Sequence, residues 1–544
     1  MKHLLTLILA LSIMVYVNAQ EIGFNLKTGK ILRDKITERT VDISDLGTIN
    51  GKAFFLFLPF SAVYSNASIG ATDNYFVGKF DSDLNLIKRA EIVLQQDKKD
   101  LQCEGILMLK DKLLVFSSFQ NSKDKKHYLF VQNLNPETLA LMPNSKLIGE
   151  LDYSGLSKYN NTVFQFEISP DSSKVLVFYT LLNKHNETLR TGMYVFDQDM
   201  KMKWKNSNIV AKFSGGVFEY NRFRIDNNGN VYLLGLLYKD RDNYFDAAHF
   251  RDRGFFSSDT YFTDKPNYTY QLYRYTDEGK TEDIYTLSLP GKFIRSLNYL
   301  PVDGNTILCT GMYASTGKIS VEGSFAFNFD LGSKQTNGLS TKEFGTELIS
   351  MGFNPNELNR FKRSISNKQE WDPFAYLLGE IKTKKNGDKY FIAEQYINGT
   401  KTEKSGNTIT YSAIHMHNDL FVVTLSSDYQ IKRIDKIQKR QYWLNTDCYN
   451  SYSSIEKNGN LYFIYNTFES SDAMFKNIEL GDSYITRLDG NGKQQKTTFR
   501  KKEEKGQPMP LLKTGMQLSE NSIIFTLLSY NWKDYQVQKI SITE

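Results

Sequence analysis

The chain has 544 residues, 40% hydrophobic and 24% charged, a globular balance that excludes a disordered polymer. Lys and Arg number 67 against 61 Asp and Glu, a net +6 that is small for this length and singles out no polyanion, so no nucleic-acid partner is expected. Cys103, Cys309 and Cys448 are odd in number and widely spaced, which favours buried free thiols over a disulfide framework.

The chain opens on a leader-like segment. Lys2 and His3 precede an apolar run over residues 4–17, and Val17-Asn18-Ala19 supplies small residues for cleavage before Gln20. The run is shorter than the ~20 apolar residues a spanning helix needs. Residues 1–19 are therefore expected to be a signal peptide, and residues 20–544 an exported chain, periplasmic or secreted, without a transmembrane anchor. Residues 21–43 precede the first repeat and could supply an outer strand to the last one.

From there one unit recurs: an alternating strand, a tight Asn/Asp/Gly turn, and a more apolar strand. Its weaker early copies turn at Asn50-Gly51 and Lys110-Asp111-Lys112, and residues 164–179 turn at Pro170-Asp171-Ser172. The clearest copy begins with the alternating Arg222-Phe223-Arg224-Ile225-Asp226, turns at Asn227-Asn228-Gly229-Asn230 and returns as an apolar strand over 231–238. Further copies turn at Asp303-Gly304-Asn305, Asn386-Gly387-Asp388, Asn458-Gly459-Asn460 and Glu520-Asn521. Asn and Gly tolerate the positive φ of tight hairpin turns.

A second hairpin follows many of the first, with turns at Asp81-Ser82-Asp83, Asp197-Gln198-Asp199, Asp277-Glu278-Gly279 and Asp489-Gly490-Asn491. Two hairpins make four strands per unit, at intervals of roughly 60 to 80 residues. That pattern predicts an all-β chain folded as a single β-propeller, with eight four-stranded blades and seven as the alternative. Asp226-Asn227-Asn228-Gly229-Asn230 and Asp489-Gly490-Asn491-Gly492 carry oxygen ligands near glycine, but neither has calcium-loop spacing, and turn chemistry accounts for both.

Three long connections stand out: residues 239–267, 331–372 and 397–414. The first and third would join second to third strands and the second would link two blades, so all would open on one propeller face. Segment 239–267 mixes Tyr244, Phe245, Phe250, Phe255, Phe256, Tyr261 and Phe262 with Arg241, Arg251 and Arg253. Aromatics beside arginines suit a recognition surface, whereas a satellite core under a long loop is the competing reading. Segment 331–372 holds the one helix expected, about 356–366, starting at Asn354-Pro355 and docking through Leu358, Phe361 and Ile365. After the third connection comes His415-Met416-His417-Asn418-Asp419. Alternation along a strand would put His415 and His417 on one side as a weak metal pair, but no third ligand is evident and no metal is expected.

Within this repeat, Ile168-Ser169-Pro170-Asp171-Ser172 resembles the turn of TolB- and tricorn-type propeller repeats. The run Phe196-Asp197-Gln198-Asp199-Met200-Lys201-Met202-Lys203-Trp204 is similar to a quinoprotein-type blade ending. Each resemblance covers one blade and implies the propeller class, not an activity.

Catalytic signatures are missing: the chain has no GxSxG, HExxH, P-loop or GxGxxG. The leading expectation is a cofactor-free, monomeric recognition scaffold that binds a protein, peptide or glycan on its long-connection face. The alternative is a carbohydrate-active enzyme with carboxylates converging on the central channel.

Overall fold

The computed structural model describes residues 22–544 except 34–39, 60–74, 97, 157–158, 185–187, 208, 210–217, 239–267, 316–319, 368–374, 406–407, 445–447, 471–477, 503–507 and 530–533. The candidate leader at 1–19 and the aromatic segment 239–267 therefore lie outside the described residues.

Local turn chemistry builds the repeat. Asp81, Asp197, Asp226 and Asp489 each turn one carboxylate oxygen onto two backbone amides, two and four residues ahead, at 2.8–3.0 Å. The carboxylates expected in turns are thus consumed in holding them. At the other class of turn, Asn50 and Gly51 (φ 50° and 73°) and Asn458 and Gly459 (φ 52° and 78°) pair two positive-φ residues, the backbone a two-residue hairpin requires.

Among the described residues these hairpins assemble into eight antiparallel sheets of four or more strands, and Gln95–Gln96 pairs with Lys99–Asp100 as a separate two-stranded piece. Blades 1 to 7 cover residues 40–92, 102–152, 159–206, 218–287, 293–343, 375–444 and 452–500. Blade 8 combines residues 509–542 with Phe24–Thr28 and Leu32–Arg33, which pair antiparallel to Asp534–Ile542 as its outermost strand. The N-terminal segment thus closes the ring, although residues 40–43 belong to the first strand of blade 1.

Ring closure is also visible in the core. The described residues form eight apolar clusters, one for each junction between neighbouring blades. Phe55, Phe57 and Phe80 of blade 1 meet Ile524, Tyr535 and Val537 of blade 8 in the cluster that joins the two ends of the array. Trp204 shows how one junction is keyed. It leaves the outer strand of blade 3, lies against Gly279 of blade 4 and donates its indole N–H to the Gly229 carbonyl at 3.2 Å. A Cβ at Gly279 would sit 2.5 Å from the indole ring, so this turn needs glycine for close approach as well as for its φ of +76°.

Two of the long connections differ from expectation. Gln335–Glu343 is the outer strand of blade 5, so the insertion begins only after it. That strand is exposed and polar, with Leu339 as its one large apolar residue, and an outer strand with a solvated face shows no apolar run. The insertion carries α1 (Thr346–Ser350) and α2 (Pro355–Ser366). Asn354 and Glu357 cap α2 reciprocally and Pro355 occupies its first turn. Phe361 docks the helix while Ile365 is 47% exposed, so the apolar stripe is narrower than expected. Arg440 grips Glu357 with two hydrogen bonds, at 2.6 and 2.8 Å.

Residues 397–414 are not an irregular loop. Lys389–Ser405 and Thr408–Leu425 run on as one long hairpin through this segment. The β-branched Thr400, Thr402, Thr408, Ile409 and Thr410 favour that extended pairing. Cys103 and Cys309 are buried free thiols and Cys448 is half-buried. No described helix is long and apolar enough to cross a membrane.

Candidate functional site

The first strand of each blade faces the axis, and contacts that skip a blade mark where side chains converge there. Arg222 of blade 4 reaches past blade 5 to blade 6, donating to Glu380 Oε1 at 2.9 Å and to the Leu378 carbonyl at 3.0 Å. On the way it donates to Asn298 Oδ1 of blade 5 at 2.9 Å, and Asn298 donates to the Gly379 carbonyl at 2.7 Å. Arg224 binds the second oxygen of Glu380 and lies 5.6 Å from the centre of the Tyr299 ring. From blade 3, burial raises the pKa of Glu167; Arg224 pulls it back down, and the Glu380 charge adds to the rise. Both oxygens of Glu380 are occupied by guanidinium groups, which suits an anchor more than a free nucleophile or base.

Two buried polar networks lie nearer the long-connection face. In blade 2, Ser118 donates to Glu104 Oε1 and contacts His127 Nε2 at 2.9 Å. His127 Nδ1 faces Tyr159 Oη and Thr162 Oγ1 at 2.9 and 3.0 Å. If Ser118 gives its proton to Glu104, its oxygen accepts from Nε2–H, leaving Nδ1 to accept from a hydroxyl. The serine thus sits between acid and imidazole, buried and doubly engaged, not poised as a nucleophile.

Burial moves the two titrating groups in opposite directions, Glu104 up to about 7 and His127 down to about 4. His127 stays neutral in the fold while the unfolded chain gains its proton below about 6.5, so its contribution is lost as pH falls from there towards 4. Glu104 contributes the reverse, stability lost as pH rises from about 4.5 towards 7. Urea unfolding of His127→Gln between pH 4 and 7 should therefore show less acid destabilisation than the parent. An unchanged acid slope would remove His127 from the account.

The second network joins blades 6 and 7. Glu394 Oε1 accepts from Lys439 Nζ at 2.5 Å, and Oε2 contacts His417 Nδ1 at 3.0 Å and accepts from Ser451 at 2.8 Å. Lys439 also donates to Gln441 Oε1 at 2.7 Å and to the His417 carbonyl at 3.1 Å. Burial works to raise the Glu394 pKa, but the Lys439 charge and the His417 hydrogen bond outweigh it and hold the carboxyl at about 2.

Of the residues expected to form a site, Tyr244, Phe245, Phe250, Arg251, Arg253, Phe255, Phe256 and Tyr261 lie outside the described residues. His415 and His417 share a strand, but His417 is buried against Glu394, and His415 lies opposite Asn398 and Trp443 in the ladder. Among the described residues, no group of three or more His, Cys, Asp or Glu is placed to hold a metal ion. Sequence reasoning missed the channel group because its members come from different repeats with no fixed spacing. Arg222 and Arg224, two charged residues on the same side of a first strand, were the available signal.

No protein-family model matches the chain, and no curated protein matches it in sequence. Solved structures that resemble it include the β-propeller domain of the trilobed protease from Pyrococcus furiosus, at 13% identity and TM-score 0.33, covering 85% of this chain and 97% of that one. Prolyl oligopeptidase B from Galerina marginata aligns at 9% identity and TM-score 0.37, over 91% of this chain but only 56% of its own length. An α-L-arabinanase from Penicillium chrysogenum aligns at 10% identity and TM-score 0.30, over 69% of this chain and 94% of that one. These neighbours are propeller proteins, and the eight sheets described above make this chain one too.

Proposed function

We propose that the chain is an exported recognition scaffold that binds a protein, peptide or glycan through its long-connection face. One observation carries the reading. Among the described residues, the strands of the blade 6 hairpin pair only with each other from Thr400↔Ala413 to Ser405↔Thr408, beyond the last pairing with the rest of the sheet. At ~3.4 Å per residue the arm extends roughly 20 Å. A two-stranded ribbon with both edges open is marginal in water and offers backbone donors and acceptors to a partner. The helical insertion opens on the same face by topology, and the leader-like first 19 residues support export.

The experiment is thermal unfolding against peptide and glycan panels, using the full chain and a variant with residues 400–413 replaced by Asn-Gly. A ligand that binds the native state raises Tm. The expected result is a ligand whose shift appears with the full chain and vanishes with the shortened arm, whose own Tm stays within a few degrees. A shift retained without the arm would overturn this use of the face. The second reading, a glycoside-cleaving enzyme, draws on Glu167 and Glu380 in the channel. It predicts turnover that both Glu167→Gln and Glu380→Gln abolish.

A further inference from the structure

The central channel holds one acid that the Arg222–Glu380 anchor leaves unused. Glu167 stands three residues before Pro170 in blade 3, and Arg224 three before Asn227 in blade 4, so both lie at the same depth. Phe166 packs on Phe116 of blade 2, and Phe223 stacks on Phe178 of blade 3. By strand alternation Glu167 therefore points away from blade 2, and Arg222 and Arg224 point away from blade 3. The acid and the guanidiniums can act on one another only around the inner edge of blade 4, at the axis. Blade 6 adds a second acid. Its first strand is interrupted between Ala375–Leu378 and Lys382–Thr383, and Glu380, 56% exposed, reaches both guanidiniums from the break.

Several of these groups keep free hydrogen-bonding capacity. Among the described residues Glu167 makes no hydrogen bond or ion pair, although Arg224, Arg222 and Glu380 all act on it through space. Arg224 bonds only through Nη2, and Arg222 only through Nη1 and Nη2. Arg224 Nε is shielded, but the Glu167 carboxyl, Arg224 Nη1 and Arg222 Nε all reach solvent.

This arrangement selects among ligands by charge. A cation entering the channel meets two guanidiniums, and an anion meets two carboxyls. An apolar group leaves both kinds without a partner. A hydroxyl answers both, because it donates to a carboxylate and accepts from a guanidinium, and it fits a gap that the two do not close themselves.

We propose that the channel between blades 3, 4 and 6 binds a neutral sugar unit, one hydroxyl bridging Glu167 and Arg224 Nη1 and a neighbouring hydroxyl accepting from Arg222 Nε. Glu380 holds the guanidiniums in place from the far side. The site lies apart from the blade 6 arm and involves no bond cleavage, so it stands whether the chain is a scaffold or an enzyme.

The test is isothermal titration of the full chain with glucose, galactose and arabinose, with glucuronate and galacturonate as charged counterparts. Free monosaccharides have no glycosidic bond to cleave, so binding is read separately from turnover. The expected result is saturable binding of at least one neutral sugar with Kd at or below about 1 mM, reached by a few hydrogen bonds to a small ligand. Both uronates should bind about tenfold more weakly than that sugar, because a carboxylate there faces Glu167 and Glu380. Glu167→Gln should weaken the neutral sugar about tenfold, since a charge-assisted hydrogen bond becomes an ordinary one. Its Tm should stay within a few degrees of the parent, because Glu167 has no partner to lose. The chain with residues 400–413 shortened should bind the sugar as the parent does. No saturable binding of any neutral sugar overturns the proposal. So does a uronate that binds as tightly, a Kd unchanged in Glu167→Gln, or binding lost with the shortened arm.

Discussion

Deleting residues 22–33 should open the ring and produce the largest stability loss of any change considered. The deletion removes the five register pairs from Phe24↔Ile542 to Thr28↔Gln538, and the pairs of Leu32 and Arg33 with Tyr535 and Asp534. It also removes Ile22, 3% exposed in the core between blades 7 and 8. Losing one buried aliphatic side chain and a ladder of backbone hydrogen bonds costs on the order of 5 kcal/mol. The remaining sheet presents Asp534–Ile542 as a raw edge. Limited proteolysis should then cut first within residues 509–542, and a synthetic peptide spanning 22–33 should restore protection. Arg33→Ala is the control. Its partner is Asp534, but Arg33 is 72% exposed, so the surface ion pair should matter little. Truncated protein that melts and resists protease like the full chain would mean that the ring closes without this strand.

The second large effect concerns Glu394. Its side chain is 5% exposed, and that of its partner Lys439 is fully buried. Removing one member of a buried pair leaves the other charge uncompensated, at a cost of about 3–5 kcal/mol. Glu394→Ala should show that loss in chemical denaturation. The double variant Glu394→Ala/Lys439→Met should recover a substantial part of it, since no buried ammonium is stranded. The pH dependence has a definite sign. The folded carboxyl titrates at about 2, below its ordinary value near 4.5, so its contribution is complete above 4.5 and fades as pH falls towards 2. Glu394→Gln should flatten that acid limb. A loss under ~1 kcal/mol in Glu394→Ala would show that water reaches Lys439 in solution.

How much could be read beforehand depends on whether the signal is local. The Asp and Asn-Gly turns were legible because one residue's carboxylate or φ decides each of them, and counting them yields the eight blades found. Closure was legible too, because the last unit lacked an outer strand and residues 21–43 were spare. Gln335–Glu343 escaped notice because an exposed outer strand needs no apolar alternation. The blade 6 arm escaped for a related reason. Its strands outrun the sheet that would have imposed an in-out pattern. The channel group was beyond reach, since it gathers Arg222, Asn298 and Glu380 from three blades that only the ring brings together, and so was the Glu394 network, because its members lie at separate points of blade 6 and the segment after it, with no fixed spacing.

The shared eighth blade also sets an order of events in time. Phe24 lies opposite Ile542, so one strand of this pair waits for a partner synthesised seven blades later. Blades 1 to 7 each take all their strands from consecutive stretches of chain and can form as they emerge. The ring as a whole cannot. Until residues 534–542 are made, residues 24–33 remain an unclaimed strand, and so long-range a pairing is slow to find. During that interval the apolar surfaces of blades 1 and 7 are open to wrong partners, including the same surfaces on another unfinished chain.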